Sequence, residues 1–172
     1  MWYKELRARP RVKKGGIRLQ LNVSTDYAVR IVLYLASAGE AASGAEISRA
    51  MAIPPNYLRE IAKKLLRAEI LRSTQGAKGG YDLAKSPGRI SLRDIIESME
   101  GTTRINRCLE PDHLCSRKAT EDCPVRAFYQ RIQDCLDSSF AAITVEQLIS
   151  GGGAPPEGDF PTGGTEGLSK LR

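Results

Sequence analysis

The 172-residue chain has the length of about one domain, and its 41% hydrophobic content can supply a soluble core. No run approaches the roughly 18 to 20 apolar residues that span a bilayer, and the first residues lack a secretory apolar stretch, so a cytoplasmic protein with no membrane span is expected. In that reducing compartment four cysteines suit metal binding or redox chemistry better than a disulfide framework.

The formal charge of +6 is unevenly distributed. Residues 1–18 carry Lys4, Arg7, Arg9, Arg11, Lys13, Lys14 and Arg18 against Glu5 alone, so the rest of the chain is formally neutral. Within that remainder, residues 49–89 hold Arg49, Arg59, Lys63, Lys64, Arg67, Arg72, Lys78, Lys85 and Arg89 against only Glu60, Glu69 and Asp82, an excess that acidic residues elsewhere compensate. A basic excess confined to one supersecondary unit is a footprint of phosphate contact. Residues 1–16, without apolar periodicity, are expected to form a basic flexible arm that could reach a DNA groove or remain a solvated tail. Residues 151–172, rich in Gly, Pro and Thr, are expected to form a flexible tail.

Between these ends the pattern is mainly helical. Ser24 can cap a first helix with Tyr27, Ile31, Tyr34, Leu35 and Ala38 on one face, ending near Gly39. Ser43 and Glu46 form a capping-box pattern for a short helix bearing Ile47, Ala50 and Met51. After Pro54 and Pro55 a third helix carries Leu58, Ile61, Ala62, Leu65 and Leu66 inward, and Asn56, Arg59, Lys63 and Arg67 outward. A short helix, a tight connection and a longer helix with a basic face form a helix-turn-helix, whose second helix enters the major groove.

Strand-like runs 70–74 and 81–84 flank Gln75-Gly-Ala-Lys-Gly-Gly80, whose glycines permit a sharp turn, and together read as a wing. Lys78 at its tip would meet phosphate or the minor groove, with Arg72 assisting from the strand. Asn56, Tyr57 and Arg59 would face bases and phosphates, and Lys63 would add electrostatic attachment; Asn56 could instead cap its helix and Tyr57 could pack in the core. The glycine-rich loop carries neither Gly-Lys-Ser/Thr nor a GxGxxG after a strand, which argues against nucleotide binding.

Ser91 and Asp94 open another helix, with Leu92, Ile95, Ile96 and Met99 inward and Gly101 at its end. Then Cys108, Cys115 and Cys123 share one polar loop, and Pro124 begins a long helix with Val125, Tyr129, Ile132, Leu136, Phe140 and Ile143 in alternating steps of three and four. That stripe could pair with a second copy or fold back on its own domain. Thr144 and Gln147 cap a last short helix.

Thiolates are soft ligands that suit iron-sulfur clusters and zinc, and intervals of six and seven residues converge on a cluster more readily than on one tetrahedral ion. The spacing does not match a C-x-x-C zinc ribbon, and unliganded cysteines remain the alternative. His113, within the loop, could be a ligand or a solvated residue, and Cys135 reads as a small buried hydrophobe on the long helix. No catalytic base and nucleophile pair is evident, so no enzyme is expected; a small iron-sulfur electron-transfer protein would leave the wing and basic helix idle.

Ser24-Thr-Asp-Tyr-Ala-Val-Arg30, Ile53-Pro-Pro-Asn-Tyr-Leu58, Gly76-Ala-Lys-Gly-Gly-Tyr81 and the triple-cysteine loop together resemble the Rrf-two family of bacterial winged-helix regulators, across about residues 17–150. The fold class expected is mainly α with a small β wing, a winged helix-turn-helix plus a long dimerisation helix. The resemblance divides residues 17–150 into a DNA-binding module at about 24–90, a cysteine loop at 102–123 and a dimerisation helix at about 124–143. It implies a homodimer that binds double-stranded operator DNA, with an iron-sulfur cluster on the loop that senses cluster status, iron, oxygen or nitric oxide and changes operator binding; the chain is expected to act as a repressor. IscR-like members use a histidine three residues beyond the third cysteine, where this sequence has Arg126, which disfavours a two-iron, two-sulfur (2Fe-2S) site. NsrR-like members use an aspartate from the partner subunit, and Asp26 occupies the matching place. The resemblance thus implies a four-iron, four-sulfur (4Fe-4S) cluster held by Cys108, Cys115, Cys123 and Asp26; an acidic residue in a first helical turn also has an ordinary role against the helix dipole. A cluster-free regulator of the same fold, controlled by thiol chemistry or by a partner protein, is the alternative.

Overall fold

The first helix, α1 (Val23–Ala38), starts before the serine that the sequence marks as its cap: Asn22 occupies the cap position and makes no side-chain cap bond. A distant carboxylate does that work instead. Glu100 accepts a hydrogen bond from the Asn22 backbone N–H at 2.9 Å and others from the Asn22 amide and the Thr25 hydroxyl. An anion there also suits the positive end of the helix dipole. The computed structural model describes residues 20–76, 79–118 and 121–151; the basic arm expected at 1–16, the tail beyond Gly151 and Lys78 at the wing tip lie outside them.

On α1 the fully inward positions are Thr25, Ala28, Ile31, Val32 and Leu35. Tyr27 and Tyr34, expected on that face, are half-buried, because a phenol keeps its hydroxyl where it can find a partner. Tyr34 donates to Glu46 at 2.9 Å. That contact explains why the expected capping box of α2 (Gly44–Ala50) is only half made: Ser43 Oγ accepts from Glu46 N–H at 3.2 Å, while the Glu46 carboxylate turns to Tyr34.

Pro55 at the first turn opens α3 (Pro55–Arg67), where its missing N–H costs nothing. Leu58, Ile61, Ala62 and Leu65 form the buried stripe, and Leu66 sits at its half-buried edge. Strands β1 (Leu71–Thr74) and β2 (Gly80–Leu83) pair antiparallel, with Leu71 opposite Leu83 and Arg72 opposite Asp82. Ala42 adds a bridge to Tyr81, with N–H to O distances of 3.0 and 2.9 Å, and so clamps the wing to the segment before α2. The clamp accounts for Gly80 better than the turn does. A Cβ there would lie 2.1 Å from the Ala42 carbonyl oxygen.

Helix α4 (Leu92–Glu100) has a complete capping box between Ser91 and Asp94 and ends on Gly101 in the left-handed region, φ 79°. After the cysteine loop comes α5 (Pro124–Ala142), then α6 (Val145–Ile149), which the Thr144 and Gln147 pair caps. The junction of α5 and α6 is stitched to the start of α4 by Leu92 N–H to Ile143 O and Val145 N–H to Ile90 O, both 2.9 Å. Val145 is fully buried, and α6 packs on α1.

One core joins α1 to α4, the wing base and Val145, with Ile31, Leu35, Ile47, Leu58, Leu65, Ile70, Ile90 and Ile95 almost fully enclosed. Each such side chain contributes about 1.5–3 kcal/mol through burial. Helix α5 differs. Gln133 is its single buried residue, whereas Val125 and Phe128 are exposed and Tyr129, Ile132, Leu136, Phe140 and Ile143 are half-buried. Its apolar stripe is therefore not consumed by the rest of the described chain. Among the described residues no helix is long and apolar enough to cross a membrane.

Because the Gly80 contact is with backbone rather than a movable side chain, Gly80→Ala is expected to cost about 1–3 kcal/mol. A urea midpoint equal to that of wild type would show that the wing can shift away without penalty.

Candidate functional site

The buried stripe of α3 turns Asn56, Arg59, Glu60, Lys63, Lys64 and Arg67 outward. Asn56 does not cap the helix: its Oδ1 accepts from Arg59 at 2.7 Å, and Pro54 holds the cap position without a side-chain bond. Nor does Tyr57 enter the core, being 61% exposed. It lies on the α1 side of α3, edge-on to Tyr27 with ring centroids 6.5 Å apart. Lys63 is tied to Glu60 at 2.8 Å. On the wing, Arg72 is ion-paired with its cross-strand neighbour Asp82, the Nε to Oδ2 distance being 3.0 Å. Asn56, Arg59, Lys63 and Arg72 are thus exposed but already engaged, and Lys78 is outside the described residues.

The cysteine loop is built from short local bonds. Cys108 lies in a 3-10 turn, Arg107–Leu109, whose start is capped by Asn106. Arg107 pairs with Asp112, whose carboxylate also accepts from Leu114 N–H at 3.3 Å; the Arg107 guanidinium holds the Asp112 carboxyl below the usual range. Cys123 caps α5, and Ala127 N–H reaches its carbonyl at 3.1 Å. Arg126 ties these parts together. Its Nε donates to the Cys108 carbonyl at 3.1 Å, and its guanidinium lies 3.0 Å from His113 Nδ1. The side chain at the IscR-type ligand position therefore acts here as a strut between the helix that follows Cys123 and the turn that holds Cys108.

All four cysteines are half-buried thiols without disulfides. Cys135, expected in the core, is among them. Among the described residues no group of three or more His, Cys, Asp or Glu is placed to hold a metal ion, so Cys108, Cys115 and Cys123 share a loop without converging on a common point. The donor set still fits a thiophilic cluster: soft, accessible sulfurs, two of them on segments that Arg126 joins. Asp26, with 54% of its side chain exposed, is bonded within its own helix to Arg30, which also lies over the Tyr27 ring at 5.6 Å.

A family model described as an iron-dependent transcriptional regulator, Rrf2, matches residues 21–151. The chain belongs to the Rrf2 family. An Aquifex aeolicus protein named as an HTH-type transcriptional regulator is 30% identical over 105 residues, which cover 61% of this chain and 73% of that protein. Among solved structures, CymR, described as the global cysteine regulator of B. subtilis, superposes with a TM-score of 0.64 at 26% identity, covering 77% of this chain and 98% of CymR. T. potens IscR superposes with a TM-score of 0.59 at 22% identity, covering 80% of this chain and 90% of that one, a likeness of fold. The expected winged-helix class, mainly helical with a two-stranded sheet, is the observed one. As an Rrf2 protein the chain is a DNA-binding transcriptional regulator rather than an enzyme.

In this Rrf2 chain the residues that sequence reasoning missed are those that suspend the cysteine loop. At the end of α4, Lys64 of α3 donates to the Met99 carbonyl at 3.0 Å, and Glu100 grips the start of α1. Burial alone would push the Glu100 carboxyl up, yet bonds from Thr25 and Asn22 and the charge of Lys64 hold it below the usual range. Further on, Gln133 Oε1 accepts from Ile105 N–H at 2.8 Å while its Nε2 donates to Thr103 O at 3.1 Å and to Asp137 at 2.8 Å. Asp137 also receives Thr103 Oγ1 at 3.0 Å and Arg104 at 3.2 Å. The available signal for Gln133 was a polar residue between Ile132 and Leu136 on an apolar helix; Glu100 carried none, because its partners are 75 or more residues away in sequence.

Gln133→Leu preserves bulk but strands the Ile105 N–H, so a loss of about 1–3 kcal/mol is expected, together with faster hydrogen exchange at Ile105; unchanged exchange there would disprove the clamp. Glu100 has a depressed folded pKa, so its contribution is present above the ordinary glutamate range and fades as pH falls through the folded value. The stability gap between wild type and Glu100→Gln should accordingly narrow on acidification, and a gap that widens would contradict the assignment.

Proposed function

We propose that this Rrf2 regulator is a homodimeric repressor whose operator affinity is set by an iron-sulfur cluster on the cysteine loop. The observation that carries the reading is three accessible thiols on one loop whose preceding helix, α4, is bonded directly to α3 and α1. Cys108, Cys115 and Cys123 would hold the cluster, with Asp26 of the partner subunit as fourth ligand and 4Fe-4S preferred to 2Fe-2S. When bound, such a cluster supplies sensitivity to iron, oxygen or nitric oxide at its iron atoms.

The protein's own residues carry the rest. Gln133 and Asp137 hold residues 103–105 against α5, and Arg126 holds Cys108. A change in the loop would pull on Met99 and Glu100, and through them on Lys64 in α3 and on Asn22 and Thr25 at the start of α1. Arg59, Lys63 and Arg67 would meet the operator with Lys78 and Arg72 from the wing, each lost phosphate contact lowering the salt slope by about one.

The homodimer reading draws on α5. Its apolar residues remain exposed or half-buried, and Leu136 and Phe140 line a cavity of about 380 Å³ with Leu21, Ile96 and Ile105. A second copy laid along this stripe would cover it, and the resemblance to NsrR-like members implies that each Asp26 would then serve the other subunit's loop.

A second reading keeps DNA binding and replaces the cluster by thiol chemistry or a partner protein. It is favoured by the separation of the cysteines and by the likeness to CymR, a cysteine regulator in B. subtilis. Anaerobic purification, with iron and sulfide measured per chain while a promoter fragment is titrated before and after cluster removal, separates the two. Wild type is expected to carry iron and sulfide and to change affinity on their loss, whereas Cys115→Ala should lose both and stay folded, since Cys115 lies outside the core. Normal iron content in Cys115→Ala would sink the ligand assignment. Asp26→Asn, which replaces an anionic oxygen ligand by a neutral amide, should speed cluster decay under oxygen; identical decay would leave Asp26 as the partner of Arg30 alone.

A further inference from the structure

A helix docked in the major groove reads bases with the edge opposite its buried stripe. In α3 the stripe is Leu58, Ile61, Ala62 and Leu65. With 3.6 residues per turn, the opposite edge is formed by Asn56, Glu60, Lys63 and Arg67, all exposed. Three of these are neutral or cationic, as a phosphate-facing surface favours. Glu60 is the exception, the one acidic residue of the helix, with 71% of its side chain exposed.

Its surroundings keep it an anion. Lys63 is bonded to it at 2.8 Å and, with Arg59 and Arg67 nearby, holds its carboxyl below the usual range. A carboxylate brought against DNA is repelled by the phosphates and loses water, so its presence at the docking edge is costly unless a donor replaces that water. Major-groove edges offer such donors only at the amino groups of cytosine and adenine. An ionised carboxylate accepts and never donates. It therefore pairs with cytosine N4, is repelled by the bare acceptors of guanine and thymine, and matches adenine poorly because N7 sits beside the N6 amino group.

Resting on the reading that α3 enters the major groove, we propose that Glu60 is a specificity-determining residue that selects cytosine at one position of the site each copy contacts. Lys63 remains beside it as the counter-charge that makes burial of the carboxylate tolerable. The competing role, a charge that merely tempers phosphate attraction, makes a different claim about sequence dependence.

The test uses full-length protein purified anaerobically. Wild type, Glu60→Ala, Glu60→Gln, Lys63→Ala and Arg67→Ala are each selected against a library of random duplexes, and a selected duplex is then titrated with all four bases at every position. Wild type is expected to prefer cytosine by about tenfold at one position. Glu60→Ala should lose that preference while binding random duplex more tightly, and Glu60→Gln should move the preference toward adenine, which a carboxamide reads with both its groups. The rest of the profile should stay in place. A Glu60→Ala protein with the full wild-type profile and an even gain in affinity overturns the proposal while leaving the groove reading intact, provided Lys63→Ala or Arg67→Ala weakens binding. If neither of those variants alters affinity or salt slope, α3 does not face DNA and both readings fall.

Discussion

The end of α4 is the joint on which the arrangement depends. Within two residues, the Met99 carbonyl receives Lys64 from α3 and the Glu100 carboxylate receives Asn22 and Thr25 from α1. Gly101 then turns the chain in the left-handed region toward the cysteine loop. A partly buried carboxylate that caps a foreign helix is a charge-assisted contact, stronger than a neutral hydrogen bond and dependent on ionisation. Because α1, α3 and α4 share one close-packed core, a displacement at this joint is transmitted as rigid movement rather than absorbed.

On the surface proposed to meet DNA, the cations are already paired in the free protein. Arg59 leans on Asn56, Lys63 on Glu60 and Arg72 on Asp82. Surface contacts of this kind contribute about 0–1 kcal/mol, so a phosphate could draw Arg59 or Arg72 away from its partner at little cost. The pairs hold the cations in defined positions in the free protein.

The cysteine loop follows a different logic. Around the buried Leu109, its described residues are held by polar contacts, from Gln133 and Asp137 on one side and Arg126 on the other. Positive φ angles at His113 and Lys118 mark the tight turns this requires. A loop secured in this way by polar and local bonds can reorganise its thiols without unfolding the domain.

Local chemistry was sufficient for much of this. The capping boxes at Ser91 and Thr144, the stop at Gly101, Pro55 and Pro124 at helix starts, and the two wing strands follow from propensity and short-range hydrogen bonds, so they were legible in the sequence. The amphipathic split of α3 was legible for the same reason, since burial and exposure repeat with the helix period. What required the tertiary structure were contacts between residues far apart in sequence: Glu100 in place of Ser24 at the start of α1, Tyr34 drawing Glu46 away from its capping box, the Ala42 carbonyl that excludes a side chain at Gly80, and Gln133 as a buried clamp on an apolar helix. A periodic pattern reports which face of an element turns inward, but not which polar group from another element will meet it there; that pairing is decided only when the elements pack.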